Sequence, residues 1–174
     1  RYQFLSGKNI EFVENITDVD DPLLERANRD KLDWSELADS QINLFKSDMS
    51  ALRVIPPDHF IKVTESLSII EDFIKRLDEN GYLYEIEHDY YFAVEKFLND
   101  LPIPVDEAVK VFSERGGDPH RVGKKHKLDP LVWSAHVGNE PGWESSFGFG
   151  RPGWHVECTA IACRYLDDKK NDPI

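Results

Sequence analysis

Residues 10–22 run from a strand pattern directly into a helix start, and that join limits the folds open to the chain. Ile10, Phe12 and Ile16 alternate with polar neighbours over Lys8–Ile16, and Val13 adds bulk, which predicts a short strand. Asp21-Pro22 follows as an N-cap with proline at the first helical position, predicting a helix through Leu23, Leu24 and Ala27. A strand feeding a helix points to an α/β fold, in which ligands gather beyond the carboxyl ends of strands. Asn15 and Thr17 stand at such an end and offer hydrogen bonds to a small polar ligand. Asp18, Asp20 and Asp21 resemble a magnesium cluster. Helix capping and complementation of the helix dipole account for them more simply. Upstream, Tyr2, Phe4 and Leu5 read as the end of a helix closed by Gly7.

A second helix opens at Asp33 or Ser35, carries Leu37, Ile42, Leu44, Phe45, Met49 and Leu52 on one stripe, and is stopped by Pro56-Pro57. A third is expected from about Asp58 to Asn80, with Ile61, Leu67, Ile70, Phe73, Ile74 and Leu77 as its apolar face and Gly81 as its cap. Tyr82–Val94 places aromatic and β-branched residues on both sides of a Glu-His-Asp tip, which predicts a hairpin. A further helix spans Val105–Ser113, and Leu131–Trp133 is a short apolar piece.

In Gly150–Ala162, Gly-Arg-Pro-Gly is expected to open the last helix, with Pro152 in its first turn and Trp154 and Cys158 on one face. A thiol so near a helix start is biased toward thiolate, the form that binds zinc. The opposing reading is a buried structural cysteine beside a core tryptophan. His155, three residues before Cys158, makes a local His/Cys metal pair geometrically feasible, while His59, His88 and His136 read as surface or core histidines. Glu114–Lys127 is a polar loop whose two glycines, arginines and lysines suit either an exposed turn or a cradle for an anionic or hydroxyl-rich ligand. It lacks the ending of a P-loop. There is no Ser-His-Asp set and no paired-carboxylate site.

With 174 residues the chain is long enough for one domain or a domain and a half. A net charge of −12 argues against a broad nucleic-acid surface, though not against a local basic pocket. Cys158 and Cys163 are the only cysteines and lie five apart, so no disulfide between them is expected and a reducing, cytoplasmic setting fits. No apolar run is long enough to span a membrane and no signal-peptide pattern opens the chain. Arg1 is not an initiator methionine, and the sequence stops soon after Cys158, at Asn171–Ile174, so a fragment is expected.

Gly-Arg-Pro-Gly-Trp-His-Val-Glu-Cys at 150–158 resembles the zinc-cysteine segment of the cysteinyl-tRNA synthetases, and Asn-Ile-Thr-Asp-Val-Asp-Asp at 15–21 resembles a second segment of that family. Three stretches are more similar to a sister group, the ATP-dependent ligases of mycothiol biosynthesis that join L-cysteine to glucosaminyl-inositol. These are Asp-Asp-Pro-Leu-Leu-Glu-Arg-Ala at 20–27, Glu114-Arg115-Gly116-Gly117-Asp118-Pro119, and Gly-Lys-x-x-x-Leu-Asp-x-Leu-x-Trp at 123–133.

The resemblance implies part of a class I synthetase-like Rossmann catalytic domain, with a mainly helical insertion that carries a small hairpin. Residues 1–22 would close the first half, 23–147 form the insertion, and 148–174 start the second half. It implies ATP with Mg2+ as substrate, a cysteinyl-adenylate lined by Asn15, Ile16, Thr17 and Trp154, and a Zn2+ that holds the substrate thiol, with Cys158 as one protein ligand. His155 and Glu157 are not ligands in the family. A cytoplasmic monomer without tRNA or membrane contact is expected. The phosphate-binding motifs and remaining zinc ligands are absent from the sequence, so no catalytic residue is assigned and this chain alone is not expected to form the adenylate. The rival readings are a cysteinyl-tRNA synthetase and a non-catalytic interaction module.

Overall fold

The computed structural model describes residues 6–7 and 10–166. The expected helix end at Tyr2, Phe4 and Leu5, the strand start at Lys8 and Asn9, and the terminal Asn171–Ile174 lie outside the described residues. Helices and strands are mixed: β1 (Val13–Ile16), α1 (Asp21–Asp30), α2 (Trp34–Ala51), β2 (His59–Lys62), α3 (Leu67–Glu79), β3 (Leu83–Ile86), β4 (Asp89–Phe92), a 3-10 segment (Glu95–Asp100), α4 (Val105–Glu114), β5 (Leu131–Ala135), β6 (Gly150–Pro152) and α5 (Val156–Leu166). They form two compact units. One comprises the residues up to Leu67 and those from Cys158 on; the other is Ser68–Glu157.

In the first unit β1 and β2 pair in parallel, from Val13 opposite His59 to Ile16 opposite Lys62. Parallel neighbours need a long crossover, here α1 and α2 packed on each other. Asp20, not Asp21, is the N-cap of α1: its side chain accepts from the Leu23 N–H at 2.8 Å, and Asp21 and Pro22 are already helical. Asp33 caps α2 by accepting from the N–H groups of Ser35 and Glu36. This helix ends at Ala51, before Pro56-Pro57 is reached, because Arg53 adopts a left-handed φ of 53°.

The helix expected from Asp58 begins only at Leu67, and His59–Lys62 is a strand. Phe60, Ile61 and Val63 favour strand, but the spacing of Ile61 to Leu67 and Ile70 extends the helical stripe of α3 backwards. Asp18 is 5% exposed and binds neither a helix end nor a cluster of acids. It accepts from the backbone N–H and hydroxyl of Thr64, fixing the end of β2 beside the end of β1. Residues 23–67 lie in the same compact unit as the first strand.

The second unit is a four-stranded antiparallel sheet in the order β3-β4-β5-β6, with α3, α4 and the intervening loops. The expected hairpin is β3–β4, and its two-residue tip, Glu87–His88, has φ of 50° and 73°. Both signs suit the mirror-image turn that matches strand twist. The apolar piece at Leu131–Trp133 is part of β5, and Gly150–Pro152 is the edge strand β6 rather than a helix start. Pro152 is tolerated there because an edge strand needs fewer ladder donors. Gly153 itself passes close to β5, where a Cβ would lie 2.1 Å from the Leu131 carbonyl oxygen.

The carboxylate of Asp129 is 0% exposed and is fully engaged. It accepts from the Tyr84 hydroxyl at 2.6 Å, the Val94 N–H at 2.9 Å and the His126 N–H at 2.7 Å. On α3, Glu71 accepts from the hydroxyl and N–H of Ser146 and pairs with Lys75 at 3.0 Å. The Ser146 bonds first, and then Lys75, lower the Glu71 pKa from the ordinary 4.5 to about 2.

Two outcomes are expected. Asp129→Ala leaves three donors in the interior without an acceptor and costs more than about 3 kcal/mol, read as a fall in the urea midpoint. Glu71 binds fewer protons folded than unfolded, so its contribution is complete above pH 4.5 and is lost as pH falls toward about 2. Thermal midpoints measured across that window should fall more steeply in the wild type than in Glu71→Gln.

Candidate functional site

Two of the sequence motifs meet in the first unit. Asn15 lies in β1 opposite Ile61, and Cys158 is the third residue of α5. The Asn15 side-chain amide donates to the Cys158 sulfur, Nδ2 to Sγ 3.2 Å, across 143 residues of sequence. Strand end and helix start thus form one constellation, with Cys158 in the helical turn where the dipole favours a negative sulfur. Ile16 continues it by accepting the Val63 N–H at 3.1 Å, and Thr17 is half-buried beside the Asp18–Thr64 tether. Neither Cys158 nor Cys163 is disulfide-bonded.

Among the described residues no group of three or more His, Cys, Asp and Glu is placed to hold a metal. Cys158 offers one sulfur, and the Asn15 amide is a hydrogen-bond donor rather than a ligand. The described residues therefore fit one corner of a tetrahedral zinc site and do not make the site by themselves.

Trp154 belongs to the second unit. The expected shared helical face with Cys158 does not form, because α5 begins at Val156 and a turn with His155 at φ 81° precedes it. The indole is 55% exposed and lies against Gly116, where an added Cβ would sit 2.5 Å from its Cζ3. Gly116 itself has φ of 87°, which L side chains rarely adopt.

Gly116 seats Trp154, and Gly117 lies under the Phe112 ring, 2.5 Å from an added Cβ. Asp118 accepts from the Tyr91 hydroxyl at 2.8 Å and from Lys124 at 2.8 Å, and Pro119 is buried. The Lys124 side chain, 3% exposed, also lies over the Tyr91 and Phe112 rings. Burial, and then the bond to Asp118, push the Tyr91 phenol above its ordinary range, so it remains a donor. Glu114 and Arg115 are exposed.

The 123–133 motif has the same character: Lys124 and Asp129 organise the interior and Trp133 is 1% exposed. The sequence marked both motifs, but not that Asp118, Lys124 and Asp129 face inward. The aromatic clustering at Tyr82–Phe92 was the available signal, because buried phenols need acceptors.

Gly116→Ala is expected to displace the indole and to cost about 1–3 kcal/mol through strain. Acrylamide quenching of the Trp154 emission, taken as the difference from a Trp154→Phe counterpart, should change in Gly116→Ala and stay unchanged in Arg115→Ala.

The family model described as the catalytic domain of class I (C) tRNA synthetases matches residues 1–171. The chain is 49% identical to a protein of Frankia casuarinae, 48% to one of Thermomonospora curvata and 50% to one of Thermobispora bispora, over 92% of its own length in each case. All three are named L-cysteine:1D-myo-inositol 2-amino-2-deoxy-alpha-D-glucopyranoside ligase. The chain spans 35%, 39% and 41% of these curated relatives. The fold, the two motifs joined at Asn15 and Cys158, and the match over nearly every residue agree: the chain belongs to the family of class I (C) tRNA synthetase catalytic domains.

Proposed function

We propose that this chain is part of an AMP-forming ligase that joins L-cysteine to the amine of glucosaminyl-inositol in mycothiol biosynthesis. The Asn15–Cys158 contact carries the reading, because it brings the strand-end motif and the cysteine motif into one site at 3.2 Å. The names of the relatives, at about half identity, support the acceptor. The first unit is read as part of a Rossmann-like sheet, supported by its parallel strands and helical crossover, and the second as the inserted connective region.

In the proposed reaction a cysteine carboxylate oxygen attacks the α-phosphorus of ATP, presented with Mg2+, and the bond to pyrophosphate breaks. The glucosamine nitrogen then attacks the activated carbonyl carbon, loses a proton, and AMP leaves with the C–O electron pair. Asn15, Ile16 and Thr17 would line the adenylate. Cys158 would be one ligand of a zinc that recognises the substrate sulfur, with Asn15 orienting the Cys158 sulfur by its N–H; thiolate–zinc bonding would reject serine. A monomer in the cytoplasm, without tRNA as acceptor, completes the reading, and two unbridged cysteines are compatible with a reducing compartment.

The test uses the full-length enzyme that carries this segment, with cysteine and ATP. AMP release should rise with glucosaminyl-inositol and not with tRNA, and Cys158→Ser should lower kcat/KM for cysteine about a hundredfold or more. Release driven by tRNA alone would make it a cysteinyl-tRNA synthetase. Release with neither acceptor would make it a non-catalytic module.

A further inference from the structure

The second unit holds a cleft of about 600 Å³ between the start of α4 and the loop that follows Pro119. Its volume is that of a small-molecule site. Val105 and Val109 give it an apolar flank, and Arg121, Lys124, Lys125 and Lys127 supply half of the remaining wall. Two of those cations are committed elsewhere. Lys124 is held by Asp118 at 2.8 Å, and Arg121 is paired with Glu87 at 2.8 Å and Asp89 at 3.6 Å. Lys125 and Lys127 are different. Both are exposed, and among the described residues neither is paired with a carboxylate; the Lys125 ammonium lies 4.5 Å from the centre of the Tyr84 ring. Asp106 is the only carboxylate in the lining, so positive charge prevails in the cleft of a chain whose net charge is −12.

We propose that this cleft binds a small phosphorylated anion, held by the ammonium groups of Lys125 and Lys127. The charge balance selects a small ligand. Screening over about 8 Å at physiological salt lets an anion inside the cleft respond to its lining, whereas an extended nucleic acid would also cover the acidic surface around it. Ammonium groups on flexible stems match a phosphate as point charges, without needing the bidentate geometry of a guanidinium. The inference does not need the ligase reading, since the cleft lies wholly in the second unit; AMP or pyrophosphate held instead at the proposed adenylate site would be binding that the lysine substitutions leave intact.

The experiment is calorimetric titration of the chain with inorganic pyrophosphate, AMP and glucose 6-phosphate in separate runs at physiological salt. Saturable binding of at least one is expected, and the tightest identifies the source, free or esterified phosphate. The paired Lys125→Ala and Lys127→Ala substitutions should weaken that binding at least tenfold. Lys110→Ala, an exposed lysine of α4 outside the cleft, should leave it unchanged. Both substituted lysines are exposed, so the fold survives their loss; Lys127→Glu alone should weaken binding further than Lys127→Ala. No saturable binding by any of the three would overturn the proposal, as would binding that the paired substitution leaves intact.

Discussion

A carboxylate shut away from water must receive its hydrogen bonds from the protein, and Asp129 receives them from its own loop and from both arms of the β3–β4 hairpin. Tyr84 brings in β3, Val94 the chain leaving β4, and His126 the loop before β5. The antiparallel sheet of the second unit is stitched through this one group. Earlier in the same loop, Asp118 does the same work for Tyr91 and Lys124. Each carboxylate takes a phenol hydroxyl, and burial keeps both phenols protonated. Polar clusters of this kind are costly when incomplete and restrictive when complete, which is why loops with little regular structure hold one conformation.

The helices were the most legible part of the sequence. Asp33 before an apolar stripe, Pro22 in a first turn and Gly81 after α3 are local signals, and local chemistry decides caps. The α/β class was legible for the same reason. β2, β5 and β6 were not, because a strand of three to five residues is defined by its neighbour more than by its own composition. His59–Lys62 is a strand because β1 lies beside it. Gly150–Pro152 is one because Gly153 allows the backbone to approach Leu131. Trp154 was drawn onto a helix that in fact starts two residues later, and its partner is a glycine from the other motif.

Of the candidate site, the sequence supplied the residues and the fold supplied the distances. Asn15 and Cys158 were named for separate reasons, and nothing in their spacing of 143 residues says that they touch. The loop at 114–119 illustrates the reverse. Its acidic and basic residues suggested ligand contacts, yet Asp118 is turned inward and the two glycines exist to admit rings. The lysines left facing the cleft, Lys125 and Lys127, come from the stretch just after it, which the sequence offered as either an exposed turn or a cradle for an anionic ligand.

The parallel pairing of β1 with β2 also has a kinetic side. Val13 and His59 are joined by a crossover of two helices, so the strand pair cannot form until a long loop has closed. Helices capped by their own neighbours, as α1 and α2 are by Asp20 and Asp33, gain stability from short-range contacts and can form in microseconds. The order of events in the first unit is then set by contact order: the crossover first, the sheet and its Asp18–Thr64 tether afterwards. The residues that reach Cys158 are thus among the last to find their places as the chain folds.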